Sequence, residues 1–346
     1  MSLRDAFHAA GLVAIVGWIL VIGENVILPV VVSVMLTYVL VGATQGLRRL
    51  PGFREMPSWV AYLLVLTIFG LALTIMSLVA TANLRDIAQT ELAFRDDFDA
   101  LITQQLVRFG LEGTATSQSV WDLFFSRLDV PGLSLDLLAS VASAGGYTVL
   151  ITSYVLFMVA ERRPLGRKIG LILPNSSERR AALRIFRRMN EQIVTYLSTK
   201  TLINGILGLL SYGLMRLIGI ENAVFWGFVI AVFNYIPYVG SLAGVGIVTT
   251  YTLLATANVQ LMLLALVLLT AAQVYVGNWL EPRVMSRSLN LSPLTVLLAL
   301  VFWSSLWGLP GAIIAVPMTS ILLIIMAQFR GTRAVSILAS RDGDLY

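Results

Sequence analysis

The sequence lacks cysteine altogether, and its single histidine, His8, lies close to the N-terminus. These two absences exclude disulfide bonds, thiol chemistry and any metal or catalytic centre that needs a pair of histidines. Charge is scarce as well: 12% of the 346 residues are charged and 58% are hydrophobic, whereas about 25% of a soluble domain is charged. The sequence therefore predicts an all-α, polytopic integral membrane protein, whose apolar helices of ~20 residues cross a bilayer.

The uncharged stretches predict about six full transmembrane helices and two shorter, interrupted segments. The first stretch leads directly into a second span without a convincing cleavage site, which favours a retained helix over a signal peptide. Three helices fill an N-terminal region, residues 1–84, and a transport core is expected over 192–330. The six helices are expected at residues 7–23, 26–46, 57–84, 137–160, 192–217 and 258–280.

Charges of opposite sign are concentrated in two separate segments. Residues 85–136 contain nine acidic residues, four arginines and no lysine, and apolar residues recur there at helical spacing. This pattern predicts an acidic, amphipathic insert. Residues 161–191 are rich in arginine and predict a basic helix. Since Lys and Arg are retained in the cytoplasm, the insert is expected outside the cell, and the basic helix, both termini and a 331–346 tail inside.

Two long uncharged runs, residues 222–257 and 292–329, are each broken in the middle by proline and glycine. Each is too long for one span and too short for two comfortable spans. If each run returns to the side it came from, Arg283 and Arg287 lie in the cytoplasm, as the positive-inside rule prefers. The sequence thus predicts two opposed re-entrant helical hairpins, with a pair of kinked long helices as the alternative.

Broken backbone at membrane depth survives only where it is buried in protein or lines a polar cavity. Two such breaks entering from opposite faces are typical of a transport site near the bilayer midplane. We expect the substrate pathway to be formed there. Its candidate residues are Asn234, Tyr235, Pro237, Tyr238 and Gly240 at the first break, and Gly308, Pro310 and Gly311 at the second.

Several short motifs in the C-terminal half resemble the autoinducer-2 exporter family, and the layout fits over essentially the whole chain. The motifs are Ile236-Pro237 with Gly240, then Glu281-Pro282 with Met285, Leu289 and Leu291 with Pro293, Gly308 with Gly311, and Ala315 with Pro317. One departure is Ser286, where family members often have glycine. The resemblance implies a transporter of the bacterial inner membrane, a homo-oligomer such as a pentamer, that exports a small polar solute such as autoinducer-2.

The same resemblance leaves sodium–proton antiport open, since other members are linked to that exchange. Glu281, Pro282 and Arg283 are therefore candidates for coupling or for clamping the two hairpins, the alternative being an interfacial ion pair. No carboxylate falls near the middle of a span, which argues against an antiporter with a buried aspartate pair.

Other polar residues on apolar helices have plainer interpretations. Asn204, Gln273 and Asn278 are expected to form interhelical hydrogen bonds, and Lys200 is expected to extend to an interface. Without the groups for intramembrane proteolysis an enzyme is not expected, nor a metal, a cofactor or a nucleic-acid partner. A membrane scaffold without flux is the remaining alternative; the expected partners are a small polar solute, membrane lipid and further copies of the chain.

Overall fold

The computed structural model describes residues 3–89, 149–161, 168, 171–172, 176–256, 258–285, 290–329 and 331–343. Within these ranges every element is helical, and a single bridge between Leu291 and Ser340 is the only strand-like pairing. The all-α prediction is confirmed for this part of the chain. The predicted insert beyond residue 89, the first half of the 137–160 helix and much of the segment over 161–175 lie outside the described residues.

Eleven α-helices follow one another along the described ranges. A five-residue π-helix, Val276–Leu280, joins the eighth and ninth of them without a break. The helices are α1 (Leu3–Ile22), α2 (Glu24–Leu47), α3 (Ser58–Gln89), α4 (Val149–Glu161), α5 (Ser176–Leu217), α6 (Ala223–Phe233), α7 (Val239–Thr256), α8 (Val259–Tyr275), α9 (Glu281–Met285), α10 (Pro293–Met326) and α11 (Arg333–Ala339).

The turn between α1 and α2 is tighter than the sequence suggests, because Gly23 alone separates the two helices. The helix therefore begins at Glu24, and Pro29 lies inside α2 rather than in its first turn. Ser33 Oγ donates to the Pro29 carbonyl at 2.6 Å, and Thr37 Oγ1 donates to the Ser33 carbonyl at 2.7 Å. These hydroxyls satisfy their own hydrogen-bonding needs within an apolar helix.

The basic segment and the fifth predicted span form one helix, which the sequence analysis divided at residue 191. No proline or glycine lies between Arg188 and Ile203, so nothing ends the helix there. At 1.5 Å per residue, the 42 residues of α5 extend about 63 Å, twice the ~30 Å thickness of the hydrocarbon core. The arginine-rich start of α5 is exposed, and its apolar remainder is half-buried in the protein.

By length and composition, four helices of the described ranges are long and apolar enough to cross a membrane: α2, most of α5, α8 with its extension to Met285, and α10, which is interrupted at Trp307 and Gly308. Large apolar side chains are widely exposed on them, including Leu209 at 71% and Val301 at 66%. Such exposure is unfavourable in water but expected for surfaces that contact lipid. The molecule is therefore a membrane protein; a count of six spans stays a prediction.

The chain divides into two compact units. The unit that contains both ends of the chain, which we name the terminal unit, comprises Met1–Leu66, Tyr147–Leu202 and Arg283–Tyr346. The central unit comprises Thr67–Gly146 and Ile203–Pro282.

In the central unit, the C-terminal part of α5 packs closely against α6. A Cβ atom added to Gly208 would lie 2.9 Å from the Gly227 carbonyl oxygen, and one added to Gly227 would lie 2.8 Å from the Gly208 carbonyl oxygen. Two facing glycines let the backbones approach, as small residues commonly do between membrane helices. The α7 helix then packs against both α6 and α8.

In the terminal unit, α10 packs against α1 and α2. The core of this unit is apolar and aromatic, and it includes Trp303 and Trp307, which are 3% and 2% exposed. The partners that surround them come from α2, α5 and α10 itself, and include Met35, Ile193, Leu197, Ile314 and Leu323.

Candidate functional site

The break at residues 234–240 reverses the direction of the chain. A Cβ atom added to Gly240 would overlap the carbonyl oxygen of Phe233, and one added to Gly244 would lie 3.5 Å from the Cα of Ile230. In an uninterrupted helix, residues 230 and 244 would be about 21 Å apart. Helices α6 and α7 are thus the two arms of a helical hairpin, and the alternative of one kinked helix is wrong for this segment.

Asn234 ends the first arm, and its side chain contacts a neighbouring helix. Its Nδ2 donates to Oδ1 of Asn204, on α5, at 2.8 Å. Asn204 is 2% exposed, and its own Nδ2 is buried with no hydrogen-bond acceptor among the described residues. The predicted interhelical bond of Asn204 is confirmed, and one unmet amide donor remains buried beside the break.

The other residues predicted at this break lie in the same turn. Tyr235 and Pro237 are half-buried, and the Pro237 carbonyl accepts from the Val239 amide at 2.6 Å. Tyr238 is 60% exposed and adopts a φ of +62°. A bulky residue rarely adopts this left-handed conformation, which is strained by about 1–2 kcal/mol.

The break at residues 308–311 also reverses the chain, inside α10. The helix is interrupted at Trp307 (φ −132°, ψ 22°) and Gly308 (φ +57°, ψ −139°), a conformation open to glycine. Trp303 Nε1 donates to Oγ1 of Thr319 at 3.0 Å, although 16 residues of straight helix would separate them by about 24 Å. A Cβ atom on Gly311 would overlap the Trp303 carbonyl oxygen.

The C-terminal helix α11 joins the two ends of this second hairpin. Ser336 Oγ donates to the Leu323 carbonyl at 3.0 Å, and Thr295 Oγ1 donates to the Ala339 carbonyl at 2.9 Å. Since α11 has only seven residues, the first and last turns of α10 must lie at the same end. The tail predicted over 331–346 is therefore packed on the hairpin through its described part.

The polar side chains next to the second break have hydrogen-bond partners, including the indole N–H groups of Trp303 and Trp307. Trp307 Nε1 donates to the Leu20 carbonyl of α1 at 3.2 Å. Pro310 is exposed in the first turn of the second arm, where its missing N–H costs little. Ser304 and Ser305 donate to carbonyls of their own helix at 3.2 and 2.8 Å.

Glu281, Pro282 and Arg283 follow the π-helix directly. Proline at position 282 cannot donate to the carbonyl of residue 278, and its ring would collide with that carbonyl in a regular helix. The wider turn relieves this conflict, and the Glu281 amide donates to the Val276 carbonyl, five residues back. Glu281 is half-buried, whereas Pro282 and Arg283 are exposed.

The predicted residues thus fall into two groups, each described within its own unit. The central unit holds the 234–240 break with Glu281 and Pro282, and the terminal unit holds the 308–311 break with Arg283. In the ranges that the structure describes, no cluster of three His, Cys, Asp or Glu side chains could hold a metal ion.

Sequence reasoning was wrong about Lys200, which is 6% exposed rather than extended to an interface. The cause is the continuity of α5, which places residue 200 near its middle instead of at a helix start.

Sequence reasoning also missed Gly227 as the partner of Gly208, because helical spacing does not show which neighbour a small residue faces. Gln273 was expected to hydrogen-bond, yet its Nε2 is buried without an acceptor among the described residues.

Apolar, lipid-facing helices combined with two helical hairpins, each closed by a glycine against a carbonyl, define an integral membrane protein of the transporter class. The family model "AI-2E family transporter" matches residues 10–331, and the chain belongs to this family. The resemblance inferred from the motifs is confirmed.

Curated relatives agree with this assignment. The chain is 27% identical to the AI-2 transport protein TqsA of Escherichia coli over 319 residues, which cover 91% of this chain and 90% of TqsA. It is 25% identical over 288 residues to a protein of Haemophilus influenzae provisionally described as a transport protein, with 81% of each chain covered. YrrI of Bacillus subtilis, also provisionally a transport protein, is 23% identical over 337 residues, with 90% of this chain and 88% of YrrI covered. The protein is therefore a bacterial membrane transporter.

Proposed function

We propose that this transporter exports a small polar solute of the autoinducer-2 kind, and that the 234–240 break lines the pathway. The observation that carries the proposal is the Asn234–Asn204 pair, which leaves one amide donor buried and unmet. A buried polar group without a partner costs about 1–3 kcal/mol. That cost is recovered if a hydroxyl or carbonyl of a solute, or a water in its path, accepts from Asn204.

Backbone geometry at the same turn supports the assignment. Asn234 to Tyr238 lie outside any helix, and non-helical backbone is tolerated at membrane depth only in a protein interior or a polar cavity. The left-handed Tyr238 adds strain, and strained residues cluster at binding and switching sites. A membrane scaffold needs neither the non-helical backbone nor the strained Tyr238, because a regular helix would pack with less strain.

The substrate class rests on chemistry and on the relatives. TqsA is named for AI-2 transport. The residues at this break offer amide and phenol groups without a formal charge, which suit a neutral, hydroxyl-rich solute better than an ion. We further propose an inner-membrane location, cytoplasmic termini and a homo-oligomer such as a pentamer, as the charge distribution and the family resemblance suggest.

Sodium–proton antiport is the second candidate, because Glu281 is half-buried directly after a π-helix. Short π-helical turns occur frequently at functional sites, and a carboxylate there could exchange a proton for a cation. In this reading, Glu281→Gln abolishes ion-dependent flux.

Flux in proteoliposomes tests both candidates. Vesicles are loaded with autoinducer-2, and its exit is followed with and without imposed pH and sodium gradients. Gly240→Val is the test variant. Gly246→Val on the same helix is its matched control, because a Cβ atom at position 246 meets no atom within 4 Å.

We expect exit from vesicles with the native protein and with Gly246→Val, and none with Gly240→Val. Sodium-dependent pH changes without solute exit would overturn the exporter proposal and favour antiport. Absence of any flux from a folded protein would favour the scaffold.

A further inference from the structure

A cavity of about 360 Å³ lies in the terminal unit, where α2 ends and α3 begins. This volume is at the lower end of the ~300–1,000 Å³ range of small-ligand pockets. None of the residues considered for transport lines it. Its lining consists of polar side chains and one phenol: Thr44, Gln45, Arg48, Arg49, Ser58 and Tyr62.

Two guanidinium groups give the cavity its charge. Arg48 Nη1 donates to Ser58 Oγ at 3.2 Å, which fixes one of them against the wall. Neither Arg48 nor Arg49 forms an ion pair with a carboxylate in the described ranges. Glu55, in the same loop, does not line the cavity.

Thr44 is the buried residue of this lining, 2% exposed, and its hydroxyl has no hydrogen-bond partner among the described residues. A threonine within a helix can usually bond the carbonyl four residues earlier, as Thr37 does. The hydroxyl of Thr44 makes no such bond, although Thr44 lines the same cavity as Arg48 and Arg49.

The two helix ends at this cavity favour ions of opposite sign, and the charge of the two arginines decides which sign is bound. The start of α3 carries about half a positive charge and the end of α2 about half a negative charge. Two whole positive charges remain, so an anion is favoured and a cation is excluded. Guanidinium forks together with hydroxyl donors suit an anion that has several oxygen acceptors on one centre.

We propose that this cavity, named here the Arg48–Arg49 pocket, binds a phosphate group. The group would come either from the headgroup of an anionic phospholipid, since α2 and the start of α3 are apolar, or from a phosphate ion in solution. This pocket shares no residue with the proposed solute pathway and does not depend on the proposed substrate.

The test uses the purified full chain in neutral detergent. Ligand-induced thermal shifts are titrated with phosphatidylglycerol, with diacylglycerol of the same chains, and with inorganic phosphate against chloride at equal ionic strength. Arg48→Gln/Arg49→Gln removes both charges. Arg54→Gln is the matched control, because Arg54 is exposed in the same loop but does not line the cavity. Arg48→Lys/Arg49→Lys retains the charge without the fork and covers the case in which the glutamine variant fails to fold.

We expect half-saturation with phosphatidylglycerol or phosphate to rise about tenfold or more in the glutamine double variant, since charge-assisted hydrogen bonds are lost. The rise should be smaller in the lysine double variant, which keeps the charge but loses the fork. Half-saturation should stay unchanged in Arg54→Gln. Saturation by phosphatidylglycerol alone identifies a headgroup site, and saturation by phosphate alone identifies a soluble anion.

Thr44→Val sharpens the test, because it should change two quantities in opposite directions. Removing an unpartnered buried hydroxyl should raise the melting temperature of the ligand-free protein. The same change should weaken phosphate binding severalfold. No binding to the native protein, equal weakening in Arg54→Gln, or unchanged affinity in Thr44→Val would each overturn the proposal.

Discussion

The two hairpin turns share one device and differ in the hydrogen bonds and backbone conformation directly beside the break. Each brings a glycine, Gly240 or Gly311, against a carbonyl oxygen of the opposite arm, where a side chain would overlap the backbone. At the 308–311 break, the indoles of Trp303 and Trp307 both donate hydrogen bonds, and the left-handed residue is Gly308.

At the 234–240 break the left-handed residue is a tyrosine, Tyr238, and the buried Asn204 keeps an unmet donor. The first arrangement is what stability alone requires. The second retains strain and an unsatisfied group, which natural proteins keep mainly at functional sites. On this comparison we propose an anchoring role for the 308–311 break and a solute-handling role for the 234–240 break.

The largest expected effect comes from filling the close approach in either turn. Gly240→Val and Gly311→Val should each destabilise their hairpin by about 3 kcal/mol or more, because backbone, unlike a flexible side chain, cannot move aside. Thermal unfolding in detergent measures the effect, and Gly246→Val and Gly205→Val serve as controls with open space. Unchanged melting of both test variants would show that the arms do not meet as described.

Substitutions in the Asn204–Asn234 pair should affect stability and transport differently. Asn234→Leu leaves the buried Asn204 amide without any partner and should cost about 1–3 kcal/mol. The double change Asn204→Leu/Asn234→Leu removes both polar groups and should recover much of that stability without recovering flux. A double-mutant cycle measured by both thermal unfolding and vesicle flux checks this. Full flux in the double variant would remove the pair from the pathway.

A smaller effect is expected from removing the Trp303 hydrogen bond beside the 308–311 break. Trp303→Phe removes the hydrogen bond to Thr319 and should cost about 1 kcal/mol beyond the loss of ring area. Flux per folded protein should be retained, because the role of this indole is to anchor the arms. Thr319→Val removes the same hydrogen bond by deleting its acceptor, the Thr319 hydroxyl. Intact stability with lost flux would reverse the roles assigned to the two breaks.

The smallest effect is expected from relieving the strain at Tyr238. Tyr238→Gly should raise stability by up to about 1 kcal/mol, the left-handed strain being partly offset by the greater freedom of glycine in the unfolded chain. Tyr238→Phe should leave the melting temperature unchanged. A lower melting temperature in the glycine variant would mean that the phenol ring stabilises the turn by contacts that outweigh the strain.

Much of this architecture could be predicted from the sequence, for a simple physical reason. An uncharged run of fixed length interrupted by Pro237 and Gly240 has few solutions in a membrane, and the hairpin is one of them. Chain reversal at both breaks was therefore predictable. The continuity of α5 was predictable in principle too, since no helix breaker separates its basic and apolar parts, but the change of composition at residue 191 suggested a boundary.

Contacts between distant elements could not be predicted in the same way. Asn204 was expected to bond between helices, but nothing in the spacing identified Asn234 as its partner. Of the three glycines in the C-terminal part of α5, Gly208 contacts another backbone, whereas Gly205 and Gly213 have open space. Which face of a helix meets a neighbour depends on packing that no single periodicity encodes, and the Arg48–Arg49 pocket likewise depends on how the loop between α2 and α3 folds.

The most direct test of the central claim is solvent access at the 234–240 break. The chain has no cysteine, so Asn234→Cys and Tyr238→Cys each introduce one thiol for a membrane-impermeant reagent supplied to both sides of the membrane. Arg54→Cys, in an exposed loop, is the reactive control, and Leu264→Cys, on the exposed apolar face of α8, is the inert one. We predict that both break positions react and that autoinducer-2 slows the reaction. Inert thiols at both positions, with the two controls behaving as stated, would contradict the account.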